Sequence, residues 1–254
     1  MSIKCLSLLF ICIITMGCHH SSKRAPNYIT PSDHLAQDLT SKSYIYLGEN
    51  HEIMGDRAHT NEIINLILKS NITTKPICLF TEVPSAYMIN LDNLKSKKIT
   101  REEFNNSLPS SYRRMYSNKI LNLYLNKKIN FYFFDLNSEL NINKRNKYMA
   151  TYAVEKIKLN NCQKNIFING SRHLMDYLSQ KGEKIVSLPT NINMSNSVTI
   201  AFIPAYCTEN NSQVFNHIPD YFQKNIDNPR SSIIRSNWSK FNYFITLPIN
   251  RNCQ

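Results

Sequence analysis

Two stretches of the sequence repeat one pattern, YIYLGENH at residues 44–51 and IFINGSRH at residues 166–173. Each is a short, largely apolar run followed by Gly-x-x-His, and such runs are typical of strands buried in a parallel sheet. The carboxyl ends of parallel strands form the ligand crevice, where glycine lets the backbone turn sharply and approach a ligand closely. The chain has only 5 glycines, and two stand in these motifs. The repeat therefore predicts a cleft faced by His51 and His173.

The rest of the chain alternates strand-like and helix-like patterns. Apolar runs predict strands at 43–47, 77–81, 129–134, 165–168, 184–188, 198–203 and 241–247, and helical periodicity predicts helices at 56–70, 110–126 and 144–159. Residues 189–197 read as a loop. This alternation predicts a single α/β domain with a mainly parallel central sheet flanked by helices, and a helical insertion between the second and third strands.

Acidic residues end two further strands at the matching edge, Glu82 after one run and Asp135 after the next. Carboxylates in such positions are the usual material for metal binding or general acid–base chemistry. Glu49, His51, Glu82 and His173 together offer the ligand types that suit Zn, Mn or Fe. We therefore expect these four residues to form the functional site.

The amino terminus is typical of an exported chain. One basic residue, Lys4, precedes an apolar run of signal-peptide length, too short for a permanent membrane-spanning helix. The run ends before Cys18, and residues 15–18 resemble a bacterial lipobox, in which cleavage leaves a lipidated cysteine. The expected organisation is a signal peptide at 1–17, a polar lipidated tether at 18–38 and an α/β domain at 39–254. We expect a lipid-anchored protein of the bacterial cell envelope, at the outer membrane, facing the periplasm or the cell surface.

Charge and cysteine content add weaker constraints. The net charge of +12 becomes +11 once residues 1–17 are removed, so the basicity belongs to the folded part. The basic residues are scattered and accompany no nucleic-acid reader motif, so specific nucleic-acid binding is not expected. Of the 7 cysteines, four lie beyond Cys18, and their pairing cannot be read from their spacing. Cys78, inside an apolar run, is interpreted as a plain core residue.

The order of the motifs resembles the superfamily of the ChaN haem-binding lipoproteins, the Tiki metalloproteases and the erythromycin esterases. The shared features are a strand with Gly-Glu-x-His, a following helix, a second strand ending in Glu, and a late strand with Gly-x-x-His. They extend over residues 43–248, and residues 241–248 resemble the final strand of these proteins.

The resemblance implies roles for particular residues. Glu49, His51, Glu82 and His173 would line the pocket and, in the enzyme branches, bind a metal or activate water. In the ChaN branch the lipoproteins hold haem between two subunits through a tyrosine, which implies a homodimer. The candidates for that ligand here are Tyr112, Tyr116, Tyr124 and Tyr132. Tyr112 and Tyr116 are favoured because Arg113 and Arg114 lie between them, and a phenolate needs a nearby cation to ionise.

Two functions follow from this resemblance. The first is a ChaN-like envelope lipoprotein that binds haem or a related iron ligand and serves iron uptake. The alternative is a metal-dependent hydrolase of the Tiki or erythromycin-esterase type, which cleaves an ester or peptide bond in a small-molecule or peptide substrate with the paired Gly-x-x-His motifs.

Overall fold

Short apolar strands and amphipathic helices alternate along the chain in a computed structural model. It describes residues 33–49, 57–70, 76–113, 115–136, 140–178, 182–192, 195–204, 232–235 and 242–247. The helices are α1 (Asp33–Ser41), α2 (Arg57–Ser70), α3 (Met88–Lys95), α4 (Arg101–Asn106), α5 (Ser110–Arg113), α6 (Asn118–Leu125), α7 (Ile142–Leu159) and α8 (Leu188–Ile192). The strands are β1 (Tyr44–Glu49), β2 (Ile77–Pro84), β3 (Asn130–Asp135), β4 (Lys164–Gly170), β5 (Tyr177–Leu178), β6 (Lys184–Ile185), β7 (Ser197–Pro204), β8 (Ser232–Arg235) and β9 (Tyr243–Leu247).

Seven strands form one sheet in the order β3-β2-β4-β1-β7-β9-β8. All neighbouring pairs are parallel except β8 with β9, which is antiparallel. Strand β1 lies beside β4 with Tyr44 opposite Asn165 and Glu49 opposite Gly170. The two glycine motifs are therefore neighbours in the sheet. The predicted α/β class is confirmed, including the helical insertion α3 to α6 between β2 and β3.

The sheet separates two apolar layers because successive residues of a strand point to opposite faces. On one face Ile45 and Leu79 pack with residues of α1, α2 and the insertion. On the other face Phe80 and Phe167 stack with their ring centroids 4.9 Å apart, beneath α7 and α8. Helices on both faces of a largely parallel sheet bury all of its central strands.

Helix α1 is held to the sheet by buried polar contacts. The Lys164 ammonium donates hydrogen bonds to the carbonyl oxygens of Leu39, Thr40 and Lys42, at 2.9, 2.8 and 2.5 Å. Burial lowers the pKa of this ammonium, and the three carbonyls at the helix end compensate its lost hydration. Leu35 of α1 is fully buried, so helix begins within the stretch expected as a tether.

Three predicted elements differ from the structure. The helix expected at 110–126 is two helices, α5 and α6, because Ser117 caps the second by accepting a hydrogen bond from Ile120 N. The run expected as a strand at 184–188 gives only β6, paired with β5 in a separate hairpin, and then α8. The loop expected at 189–197 begins within α8, whose start is capped by the Ser187 hydroxyl, which accepts from Thr190 N.

The interpretation of Cys78 as a plain core residue was wrong, because Cys78 forms a disulfide with Cys162. Cys78 is the second residue of β2 and Cys162 precedes β4, and these neighbouring parallel strands place the two Cα atoms 5.7 Å apart. Sequence spacing gave no hint of this, since the cysteines are 84 residues apart. Cys18, Cys207 and Cys253 lie outside the described residues.

Candidate functional site

Four neighbouring strands end at the same edge of the sheet, and each brings a chemically active group. Strands β1, β2 and β3 end at or near Glu49, Glu82 and Asp135, while the Gly170 end of β4 leads into a short 3-10 helix that carries His173. The sequence predicted this edge from strand ends alone. His51 lies outside the described residues.

The Glu82 carboxylate is the centre of this edge. It is 7% exposed, and its Oε1 lies 2.7 Å from Arg145 Nη2 and 3.1 Å from His173 Nε2. Its other oxygen, Oε2, accepts a hydrogen bond from the backbone N of Gly170 at 2.7 Å. The structure therefore brings Glu82 and His173 into direct contact, 91 positions apart in the chain.

Arg145 joins this carboxylate to Asp135. Its Nε donates to Asp135 Oδ1 at 3.1 Å, its Nη2 also bonds Asp135 Oδ2, and Leu136 N donates to Oδ1 at 2.7 Å. Burial raises the pKa of Asp135, and the hydrogen bond from Arg145 only partly opposes that rise. Burial lowers the pKa of Arg145, but the hydrogen bonds that it donates to Asp135 and the negative charge of Glu82 outweigh this effect, so the net shift is upward. One guanidinium thus pairs two buried carboxylates.

His173 is held on its other side by a residue of α7. Its Nδ1 lies 2.5 Å from Asn146 Oδ1, and Asn146 Nδ2 donates to the carbonyl oxygen of Val186 at 2.7 Å. His173 is 4% exposed and Asn146 is fully buried. Both ring nitrogens therefore have fixed neighbours inside the protein.

Arg145 and Asn146 were not predicted, because they stand in the basic stretch Lys144-Arg145-Asn146-Lys147, which reads as a solvated helix face. One signal was present. Asn146 shares the buried stripe of α7 with Met149, Ala150 and Ala153, and a polar residue at that helical spacing among apolar ones must find a partner when buried.

Glu49 lies at the neighbouring strand end. Its Oε1 accepts a hydrogen bond from Thr60 Oγ1 of α2 at 2.7 Å, and its backbone oxygen accepts from Ser171 Oγ at 3.3 Å. The preceding glycine is required by close packing, since a Cβ on Gly48 would lie 3.0 Å from Ser171 Oγ and 3.1 Å from Leu174 Cδ1. The two glycine motifs are therefore packed against each other.

The tyrosines favoured as haem ligands occupy different environments. Tyr116 is 6% exposed and packs in the core, with its ring centroid 5.7 Å from that of Phe133. Tyr112 is half-buried beside Tyr87, at 5.7 Å between ring centroids. Tyr124 is buried and Tyr132 is half-buried. Burial is the main cause that raises the pKa of both hydroxyls, and the pKa of Tyr132 rises to about 12. Arg114 lies outside the described residues.

Of the four residues expected to bind a transition metal, Glu82 and His173 contact each other, and His51 lies outside the described residues. No group of three or more His, Cys, Asp or Glu side chains within the described ranges is arranged to hold a metal ion. The oxygens of Glu82 and Asp135 already accept hydrogen bonds from Arg145 and from backbone N–H groups. A guanidinium thus stands between the two carboxylates, in the place where a divalent cation would need free oxygen ligands.

None of the helices in the described part of the chain combines the length and the apolar character needed to cross a membrane.

Comparisons with known proteins rest on structure alone. No family model matches the sequence, and no curated protein matches it. Among solved structures, the type III effector HopBA1 is similar with a TM-score of 0.54 and 13% identity, over 89% of this chain and 97% of that one.

Two further structures represent branches named by the sequence resemblance. ChaN of Campylobacter jejuni, described with cofacial haem, has a TM-score of 0.52 and 12% identity over 85% of this chain and 91% of that one. A mutant of the erythromycin esterase EreC in its open conformation has a TM-score of 0.49 and 9% identity over 85% and 78%. Sequence identities this low support a shared fold but not a shared reaction. The chain therefore has the fold of ChaN and of HopBA1, and the ChaN-like fold predicted from its motifs is confirmed.

Proposed function

We propose that this chain is an exported hydrolase that cleaves an ester or peptide bond with Glu82 and His173 as an acid–base pair, without a metal on these carboxylates. The observation that carries the proposal is the 3.1 Å approach of His173 Nε2 to Glu82 Oε1 at the carboxyl edge of the sheet. An imidazole hydrogen-bonded to a carboxylate can take up and return a proton, which is the work of a general base and acid.

The proposed reaction is a single hydrolytic addition. The Glu82–His173 pair takes a proton from a water molecule, whose oxygen forms a bond to the substrate carbonyl carbon. The bond from that carbon to the leaving oxygen or nitrogen then breaks, and the pair returns the proton to the leaving group. His173 is 4% and Glu82 is 7% exposed, so the reacting water would meet the pair at this small exposed part, with the substrate bound above the strand ends.

Arg145 supports this chemistry without taking part in proton transfer. Its guanidinium stays charged and holds Glu82 through the 2.7 Å contact, while Asp135 balances the charge. A carboxylate fixed by charged hydrogen bonds keeps one orientation, as a preorganised site requires. Glu49, which ends the neighbouring strand, and His51, which lies outside the described residues, stay predictions as further members of the site.

The Cys78–Cys162 disulfide supports the export included in this proposal. Disulfides persist in oxidising compartments and are rare in the cytosol. Together with the apolar run before Cys18, this favours an envelope protein held to the membrane by a lipid on that cysteine. Metabolic labelling with a fatty-acid analogue tests the anchor, because Cys18→Ala should abolish the label.

The hydrolase proposal is tested with EDTA-treated protein on a panel of aryl esters, lipid esters and peptides. Turnover that survives the chelator and is lost in His173→Gln is the expected result. The matched control is His34→Gln, an exposed histidine on α1. Turnover that disappears with the chelator and returns with Zn or Mn would contradict the metal-free mechanism.

Haem binding is the second candidate, and the position of Tyr112 favours it. Tyr112 remains partly exposed beside Tyr87, and the exposed Arg113 follows it on the insertion. A phenolate with a basic neighbour suits haem iron and a propionate, and ChaN, with the same fold, is described with haem. Titration with haemin should give a saturable Soret shift that Tyr112→Phe abolishes and Tyr116→Phe, a change in the core, preserves.

A further inference from the structure

Asn146 is the only described side chain shown to contact Nδ1 of His173, and its own orientation is fixed by a third group. Asn146 Nδ2 lies 2.7 Å from the Val186 carbonyl oxygen, which can only accept a hydrogen bond. The amide nitrogen must therefore point to Val186. This leaves the Asn146 carbonyl oxygen facing His173 Nδ1 at 2.5 Å.

An amide carbonyl can only accept, so Nδ1 of His173 must carry a proton. Nε2 is then the nitrogen that faces Glu82 Oε1, at 3.1 Å. Proton exchange between the ring and Glu82, or a water beside it, must pass through Nε2. Which nitrogen carries the ring proton is thus decided by Asn146 and, through it, by the backbone at Val186.

The backbone segment that contains Val186 is itself held by α7. Asn143, one turn before Asn146, donates from Nδ2 to the Lys184 carbonyl at 2.9 Å, and its Oδ1 accepts from Val186 N at 2.8 Å. Two asparagines three residues apart on one helix thus bind the segment that follows β6. Their side chains pair with its backbone groups in the way that a neighbouring strand would. Asn143 holds this segment, whereas Asn146 holds both the segment and the imidazole.

We propose that Asn146 is a positioning residue that keeps His173 protonated on Nδ1 and directs Nε2 toward Glu82. The effect on turnover rests on the proposed hydrolase function, whereas the protonation of Nδ1 does not. Asn146 is fully buried and His173 is 4% exposed, so water cannot replace Asn146 without a change in the packing.

The test is carried out on the ¹⁵N-labelled full chain. Two-bond ¹H–¹⁵N spectra of the histidine rings distinguish a protonated from a bare ring nitrogen, and His173→Gln identifies the signals of His173. Nδ1 should be protonated in the wild type and in Lys147→Ala, the matched control, which changes an exposed neighbour of Asn146 on α7. In Asn146→Ala the fixed proton on Nδ1 should be lost. A bare Nδ1 in the wild type, or an unchanged pattern in Asn146→Ala, would overturn the inference.

Turnover supplies the second readout. Asn146→Ala should lower kcat by about 100-fold with KM little changed, as expected when a general base loses its orientation. Asn146→Asp should restore part of that loss and move the rise in activity to higher pH, because a buried negative charge beside the ring favours its protonated form. An unchanged pH profile in Asn146→Asp would count against the positioning role. A wild type without turnover would refute the hydrolase proposal, and the ring spectra would still decide the role of Asn146.

Discussion

Arg145 Nη2 lies 2.7 Å from Oε1 of Glu82, although the two residues are 63 positions apart and neither is freely exposed. The same guanidinium bonds both oxygens of Asp135. Two carboxylates at the ends of adjacent parallel strands would repel each other, and Arg145 removes that repulsion. The charge balance of the candidate site is therefore set by the first turns of α7, which lie outside both glycine motifs.

Replacing Arg145 with methionine should destabilise the fold strongly. The change leaves Glu82 and Asp135 buried without their cation, and loss of one partner of a buried ion pair costs about 3–5 kcal/mol. Urea unfolding followed by circular dichroism measures the change. Lys144→Met, an exposed neighbour on α7, should stay within about 0.5 kcal/mol of wild type, and an equal loss in both variants would contradict the role of Arg145.

The pH dependence of stability should reveal Asp135. Burial raises the pKa of this carboxyl above its ordinary 3.8, against the opposing effect of Arg145. As the pH rises past 3.8, Asp135 loses its proton first in the unfolded chain. Its contribution to stability therefore falls until the pH passes the raised pKa of Asp135 in the folded protein.

Asp135→Asn should remove that fall. Unfolding midpoints in urea between about pH 3.5 and 7 give the comparison. The control is Glu102→Gln, an exposed acid in the first turn of α4, which should keep the wild-type slope. A slope that Asp135→Asn leaves unchanged would show that other carboxyls dominate this range.

Gly48→Ala should destabilise the packing of the two glycine motifs. The added methyl would meet Ser171 Oγ at 3.0 Å and Leu174 Cδ1 at 3.1 Å, and overpacking of this kind costs about 1–3 kcal/mol. Ser171→Ala in the same chain should recover part of the loss. Gly182→Ala offers a contrast, because its φ of 74° strains the backbone while nothing lies within 4 Å of the added Cβ. Ser171→Ala should therefore not improve Gly182→Ala.

Loss of the Cys78–Cys162 disulfide should lower stability because the bond closes a loop of 84 residues in the unfolded chain. The chain-entropy relation gives about 4–5 kcal/mol for a loop of this size. Thermal unfolding of the Cys78→Ala/Cys162→Ala variant, compared with the wild type under oxidising and reducing conditions, measures the effect. Wild-type stability that does not respond to a reductant would contradict a structural role for this bond.

The sequence predicted the strand ends at the sheet edge, but it did not predict the helix residues that complete the candidate site. Strand periodicity located β1, β2, β3, β4, β7 and β9 within a few residues, and parallel pairing then placed Glu82 and His173 at one edge. β8 was not predicted, and the two-residue strands β5 and β6 are too short for periodicity to mark. Arg145 and Asn146 reach the site from a helix, and their contacts depend on how α7 packs across the sheet, which residue spacing does not encode.

The proposed metal-free acid–base pair of Glu82 and His173 is tested most directly by the rates of hydrolysis of wild type and Glu82→Gln in EDTA. Glutamine keeps the size of Glu82 but cannot exchange a proton with His173. In the variant kcat should fall by at least about 100-fold, and the wild type should be unaffected by the chelator. Equal rates for wild type and Glu82→Gln would contradict the proposed pair.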